Sequence, residues 1–163
     1  FWLKSLKVES PSLRAFMPSS KVQTREALLR RAFLVGADRE PWPHQVDAVL
    51  RVLARLGEHQ NFLVQHGTGS GKSLTMALLA WSLRNWRILA VDDAAGDGAR
   101  TWHNVALVLL LSDRVQLDQQ LGDVCATFLA RTGVPSQEVW RCDYKQDLGK
   151  ALGDVASASS SGC

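Results

Sequence analysis

The sequence predicts an incomplete α/β fold in which a parallel sheet is flanked by helices. An apolar run at residues 61–65 leads into a glycine-rich turn and then into residues 74–83, which are apolar on nearly every face, as in a buried helix. A second apolar run at 105–111 precedes the apolar stripe of another helix at 117–128. Two consecutive strand–helix units imply parallel strands joined by right-handed crossovers.

The chain is long enough for one core, because 163 residues with 46% hydrophobic content correspond to one domain or part of one. We divide it into an N-terminal segment at 1–40, the tail of an upstream domain, and a partial α/β lobe at 41–150. Residues 151–163 are small and polar, which predicts a disordered tail. Because the chain also begins with Phe1, we expect a fragment.

Three segments carry helix signals besides the helix that follows the glycines. Residues 25–35 are good helix formers with a predicted stop at Gly36. Apolar residues recur at helical spacing between Pro43 and Gly57. The helix containing residues 117–128 is predicted to stop at Thr132-Gly133.

Strand signals are weaker. The run at 105–111 is uninterrupted, which is typical of a central parallel strand rather than a half-exposed one. Residues 85–104 contain many turn formers and are interpreted as a surface connection, within which 88–91 has the composition of a short strand. Residues 1–20 show no sustained period and are interpreted as a loop.

Composition and charge exclude several functions but select none. The net charge of +3 arises from 19 basic and 16 acidic residues without a run of five like charges, so charge alone indicates no nucleic-acid-binding arm. The three cysteines form no C-x-x-C pair, which argues against a disulfide framework or zinc site. No apolar stretch approaches the about 20 residues of a membrane helix, so we expect a soluble, cytoplasmic protein without a membrane partner.

Residues 66–73, His-Gly-Thr-Gly-Ser-Gly-Lys-Ser, form an ATP-type phosphate loop. The glycines let backbone N–H groups approach a triphosphate, and the following helix directs its positive dipole end at it. Lys72 can reach the β and γ phosphates, and the Ser73 hydroxyl can coordinate Mg²⁺. The strand before the loop and the helix after it are the context that the motif requires. An ordinary glycine turn is the alternative.

Two details complicate the motif. The full pattern has glycine where this chain has His66. The run at 88–91 ends in Asp92-Asp93, which looks like the acidic pair that holds Mg²⁺ in such enzymes. This run follows the helix after the phosphate loop immediately, whereas helicase-type motors place the acidic strand after the next strand–helix unit. We therefore interpret the two aspartates as a solvated turn.

Together with Asp113, Arg114, Leu117 and Gln120 after the second strand, the loop resembles the motor of type I restriction enzyme restriction subunits, within the superfamily 2 helicases. In that family a histidine commonly precedes the glycines, and Pro43-His44-Gln45 matches its pre-loop motif. The resemblance covers roughly residues 41–133 and implies a RecA-like P-loop NTPase fold that binds ATP, Mg²⁺ and DNA. It also implies modification and specificity subunits as partners.

The resemblance implies particular site residues. Gln45 would recognise adenine, Arg114 would lie near the DNA backbone, and Lys72 and Ser73 would act in catalysis, Ser73 also as the Mg²⁺ ligand. The remaining nucleotide-binding residues would be Gly67, Thr68, Gly69, Ser70, Gly71 and Leu74. The alternatives are that Gln45 is merely solvated and that Arg114 pairs locally with Asp113. His66 is interpreted as a packed loop residue without a catalytic role.

Several parts of a complete motor are missing from the sequence: an Asp-Glu-x-His segment, a second RecA-like lobe with its arginine finger, and the nuclease motif of restriction subunits. We therefore expect the isolated chain to bind ATP without useful turnover. Two competing hypotheses are a small-molecule P-loop kinase, disfavoured because more than 60 residues precede the loop, and a truncated, non-catalytic copy.

Overall fold

The structure is a computed structural model that describes residues 2–4, 24–58, 61–91, 100–112, 115–141, 149–150 and 152–153. Its helices are α1 (Arg25–Ala37), α2 (Pro43–Arg55), α3 (Lys72–Asn85) and α4 (Val115–Arg131). Its strands are β1 (Trp2–Lys4), β2 (Ile88–Val91), β3 (Arg100–His103), β4 (Leu107–Leu109) and β5 (Val139–Trp140). Of the predicted loop at 1–20, residues 2–4 form β1 instead and residues 5–20 lie outside the described residues. Of the predicted tail at 151–163, only residues 152–153 are described.

Helix α1 begins as a capped helix but does not end where the sequence predicts. The Thr24 hydroxyl accepts a hydrogen bond from the Ala27 amide at 3.2 Å, which satisfies one free N–H of the first turn. The predicted stop at Gly36 is wrong, because Gly36 lies inside the helix and the left-handed C-cap is Asp38. A Cβ on Gly36 would stand 2.5 Å from the Phe128 ring, so this glycine permits close packing of α1 on α4.

The predicted helices α2 and α4 are confirmed. Pro43 occupies the first turn of α2, where its missing N–H costs nothing, and Val46, Val49 and Val52 form the buried face. Helix α2 ends at Arg55, followed by a turn that includes Gly57. Helix α4 ends at Arg131, and Gly133 adopts a φ of +82° just beyond it, as the predicted glycine stop requires.

The core lies between the four helices. Helix α3 is buried on several sides, packing on α1, α2 and α4. Phe33 of α1 and Phe128 of α4 meet edge to face with ring centroids 6.0 Å apart. Leu78 of α3 and Cys125 of α4 are fully buried beside them. Burial of each large side chain contributes about 1.5–3 kcal/mol, so this cluster holds α3 and the loop before it in place.

One buried ion pair fixes the far end of α3. The Arg84 guanidinium donates to both carboxylate oxygens of Glu138, at 2.7 and 3.0 Å. Glu138 ends a 3₁₀ turn, Ser136–Glu138, that leads directly into β5. The bidentate contact therefore ties the helix after the phosphate loop to the strand region.

The predicted parallel sheet is not confirmed, because every strand pairing among the described residues is antiparallel. In the three-stranded sheet, β1 lies between β4 and β5 and runs antiparallel to both. Strands β4 and β5 are therefore parallel to each other without being hydrogen-bonded neighbours. The strands that the sequence pattern places in one parallel sheet, at 61–65 and 105–111, are thus not paired with each other, because residues 61–65 form no strand and β4 pairs with β1.

Two predicted strands differ from the structure. Residues 61–66 form no strand, and Leu63 and Val64 are 94% and 45% exposed. The run at 105–111 yields only the short β4, which lies at the sheet edge with Leu109 and Leu111 exposed. Both errors have one cause: an uninterrupted apolar run indicates burial only when neighbouring strands cover it, and pairing partners are not encoded locally.

The described residues of the stretch at 85–104 include two short strands. The short strand expected at 88–91 is confirmed as β2, and it pairs with β3 in the register Ile88↔His103 to Val91↔Arg100. Asp92 and Asp93, between these strands, lie outside the described residues.

Candidate nucleotide-binding site

The phosphate loop enters the N-terminus of α3 directly. Gly69 and Gly71 adopt φ values of +76° and +75°, a region that favours glycine. The Gly67 carbonyl accepts the Ser70 amide at 3.3 Å and the Ser70 hydroxyl at 2.7 Å, which closes the turn. Gly67 and Gly69 have open space where a Cβ would stand, so ligand atoms can approach this side of the backbone closely.

Lys72 is the first residue of α3 and folds back over the loop. Its ammonium group donates to the Gly67 carbonyl at 2.8 Å and to the His66 carbonyl at 3.4 Å. The side chain is exposed, so a phosphate can reach the ammonium group from solvent. A cation at the positive end of a 14-residue helix gives the loop two sources of attraction for anions.

The other predicted loop residues lie around this turn. Thr68 is exposed, Ser73 is the second residue of α3, and Leu74 packs against the core. A serine hydroxyl is a hard oxygen donor of the kind that Mg²⁺ accepts, alongside phosphate oxygens and water. The donor set of loop amides, Lys72 and Ser73 therefore fits a magnesium–triphosphate complex.

Gln45 lies inside the structure rather than on the nucleotide side. Its side chain is 1% exposed. The amide oxygen accepts the Trp42 N–H at 2.9 Å, and the amide nitrogen donates to the Gly71 carbonyl at 3.1 Å. Adenine recognition by Gln45 stays a prediction, and both ends of its amide are already bonded to the chain.

Sequence reasoning missed an aromatic and basic row beside the loop. The Arg39 guanidinium carbon lies 5.7 Å from the ring centroid of Trp42, which is 5.5 Å from that of His44. His44 meets His66 edge to face at 4.9 Å, and its Nε2 lies 3.0 Å from the Ser70 carbonyl oxygen. Trp42 is 45% exposed. The sequence signal for this row is Trp42, which lies between two prolines at the start of α2.

A cavity of about 160 Å³ lies behind the loop, between α2 and α3. Val49, Val52, Met76 and Leu79 line it, with Lys72 at its border. Pockets for drug-sized ligands span about 300–1,000 Å³, so a nucleotide does not fit within it. This cavity is therefore too small to hold a nucleotide, whereas a second cavity of about 410 Å³ lies beside it, with His44, Arg51 and His66 in its lining.

In the part of the chain that the structure describes, other reactive groups do not add a second site. Cys125 Sγ lies 4.0 Å from the Ser73 carbonyl oxygen, and burial raises the pKa of this thiol to about 12, so it stays neutral at physiological pH. Among the described residues, no three His, Cys, Asp or Glu side chains cluster as metal ligands. Within the same parts of the chain, no helix is long and apolar enough to span a membrane. Arg114 and Asp113 lie outside the described residues.

A glycine loop with a lysine at the N-terminus of a buried helix defines a P-loop nucleotide-binding protein. The model of the SWI2/SNF2 ATPase family matches residues 44–159, and the chain belongs to this family of helicase-type ATPase motors related to superfamily 2. This family implies a RecA-like fold, and the parallel sheet of that fold is not confirmed among the described residues. Comparisons with curated proteins and with solved structures found no match.

Proposed function

We propose that the chain is the ATP-binding first half of a DNA-translocating or helicase motor lobe from a type I restriction-type enzyme. The observation that carries the proposal is the placement of Lys72 across the glycine loop at the N-terminus of α3, within a SWI2/SNF2 ATPase match. In the full-length protein this lobe binds ATP with Mg²⁺ and acts on DNA.

Each group of the loop has a defined task in nucleotide binding. The backbone N–H groups from Gly67 to Gly71 surround the phosphates, and the α3 dipole attracts their charge. Lys72 exchanges its bonds to the loop carbonyls for bonds to phosphate oxygens, which are stronger because both partners are charged. Ser73 would hold Mg²⁺, which would supply positive charge next to the phosphates.

The restriction-type origin is supported by sequence patterns. His66 before the glycines and the segment from Asp113 to Gln120 both follow the restriction-subunit pattern. Gln120 lies in the first turns of α4, after β4, as the predicted order of elements requires. We accordingly propose modification and specificity subunits as partners and Arg114 as a DNA-backbone contact.

A direct test is titration of the full chain with a fluorescent ATP analogue and Mg²⁺, comparing Lys72→Ala with the unmutated chain. A hydrogen bond to a charged group contributes about 1.5–3 kcal/mol, so we expect affinity to fall at least about tenfold. Lys150→Ala, which removes an exposed lysine remote in sequence from the loop, is the matched control and should bind normally. Equal affinity of the Lys72 and Lys150 variants would exclude the loop as the binding site.

The DNA contact is tested separately by fluorescence anisotropy with labelled duplex DNA. The Arg114→Ala variant should bind more weakly and show a smaller salt dependence, because one phosphate contact is lost. Arg51→Ala, which removes an exposed arginine on α2, controls for the change in net charge. A similar loss in both variants would mean that Arg114 contributes only its charge.

A further inference from the structure

Gln45 is the most completely buried polar side chain beside the phosphate loop, and its position within α2 explains its orientation. It is the third residue of the helix, and its amide oxygen reaches back to the Trp42 N–H at the helix start. This contact supplies a partner for one of the first N–H groups of α2. The opposite end of the same amide is thereby directed at the loop.

The loop end of the amide makes a contact across 26 residues of sequence. Gln45 Nε2 donates to the Gly71 carbonyl at 3.1 Å. That carbonyl also accepts the Thr75 amide at 3.1 Å and the Thr75 hydroxyl at 3.3 Å. Gly71 is therefore fixed from both sides, by α2 through Gln45 and by α3 through Thr75.

The contact is close enough to restrict what Gly71 can be. A Cβ at position 71 would stand 2.6 Å from Gln45 Nε2, whereas a Cβ at Gly69 would have nothing within 4 Å. Both glycines have nearly the same positive φ. The difference between them is thus the presence of Gln45, which occupies the space beside Gly71.

We infer that Gln45 is a positioning residue that holds the phosphate loop in its binding conformation through Gly71, rather than a residue that recognises the base. The inference rests on the proposed function of the loop. It leads to a distinctive pattern of affinities: loss of Gln45 weakens every triphosphate by the same factor, because what is lost is the shape of the loop. A base-recognising glutamine would instead affect only the nucleotide that it recognises.

The binding experiment uses the full chain with Mg²⁺ and three probes: ATP, GTP and inorganic tripolyphosphate, which has no base. We expect Gln45→Ala to weaken all three by the same factor, about 5- to 30-fold, which corresponds to loss of one to two hydrogen bonds. Gln45→Glu keeps the acceptor for the Trp42 N–H but can no longer donate to the Gly71 carbonyl. It should therefore weaken binding of all three probes at least as much as Gln45→Ala does. Gln119→Ala, an exposed glutamine on α4, is the matched control.

Amide hydrogen exchange reports the loop conformation without any nucleotide. The Ser70 and Thr75 amides, which bond to the Gly67 and Gly71 carbonyls, should exchange several-fold faster in both Gln45 variants. The Val134 amide lies beyond the end of α4 and donates to the Leu129 carbonyl within that helix. Its exchange rate should be unchanged, which would exclude general unfolding. If Gln45→Ala does not fold, Gln45→Glu decides the question.

The outcomes separate this inference from the function on which it rests. If no probe binds the unmutated chain, the proposed function fails, and the exchange rates still show whether Gln45 orders the loop. The inference is overturned if Gln45→Ala weakens ATP but leaves tripolyphosphate unchanged, or if the Ser70 and Thr75 exchange rates stay the same.

Discussion

Alanine substitutions at Gly69 and Gly71 form a matched pair that measures how tightly α2 constrains the loop. Both positions have φ near +75°, so each alanine costs about 1–2 kcal/mol of backbone strain. Only at Gly71 does the new Cβ also collide with Gln45 Nε2. The displaced amide loses its bond to the Gly71 carbonyl and leaves a buried donor unpaired, which costs about 1–3 kcal/mol more.

Urea denaturation of the full chain gives the free energy of unfolding for each variant. We expect Gly69→Ala to lower it by about 1–2 kcal/mol and Gly71→Ala by about 2–5 kcal/mol. In the double variant Gln45→Ala/Gly71→Ala the collision is absent, so its loss should be smaller than the sum of the two single losses. Equal losses at the two glycines, or strict additivity in the double variant, would refute the proposed constraint.

Three further perturbations test other parts of the structure. Arg84→Ala should lower the free energy of unfolding by about 3–5 kcal/mol, because it leaves Glu138 buried and unpaired. Arg30→Ala, which removes one member of an exposed helical ion pair, should lower it by only about 0.3–0.5 kcal/mol. Comparable losses for the two variants in urea denaturation would contradict this prediction. Trp42→Ala should weaken ATP but not tripolyphosphate in competition binding if its exposed ring stacks on the base, and a parallel loss for both would exclude stacking. Cys125 has a pKa raised by burial to about 12 from an ordinary value of 9.0, so only the unfolded thiol ionises between these pH values and stability falls as pH rises through this window. In this pH window the free energy of unfolding of the Cys125→Ala variant should fall by about 1.4 kcal/mol less per pH unit than that of the unmutated chain. Identical slopes of this free energy against pH in the two chains would show that the thiol ionises in the folded state.

The helices were predictable because their signals are local. The apolar spacing that defines α2 and the glycine stop after α4 both lie within one segment of chain. The end of α1 was not predictable in this way, since the glycine at position 36 leaves room for the ring of Phe128, which lies more than 90 residues later in the chain. A glycine in a helical pattern indicates either a stop or a close contact, and only the tertiary structure distinguishes them.

The strands were the least predictable part for a related reason. The apolar runs at 61–65 and 105–111 are compatible with buried parallel strands, but burial depends on partners that the run itself does not specify. In the structure β1 comes from the N-terminal segment, which shows no periodicity, and it pairs with β4 in the register Trp2↔Leu109. Three residues cannot establish a sustained period, so this pairing had no signal in the sequence.

The candidate site also has one part that was predictable from local sequence and one part that depends on tertiary packing. The loop from Gly67 to Ser73 was predictable because its glycines, lysine and serine are contiguous and each has a direct chemical task. The bond from Gln45 to Gly71 depends on how α2 packs against α3, and no pattern within either helix reports this packing.

The arrangement around the loop gives α2 a specific part in nucleotide binding. Two adjacent residues of its first turn reach the loop carbonyls: His44 Nε2 lies 3.0 Å from the Ser70 oxygen, and Gln45 Nε2 lies 3.1 Å from the Gly71 oxygen. The opposite side of the loop, at Gly67 and Gly69, is open. A loop that is held on one side and open on the other needs little ordering when phosphate binds, so more of the interaction energy is retained as affinity. Conversely, any displacement of α2 relative to α3 must stretch these two bonds. If phosphate binding displaces the loop, these two contacts would transmit the displacement to α2, and a motor requires a coupling of this kind.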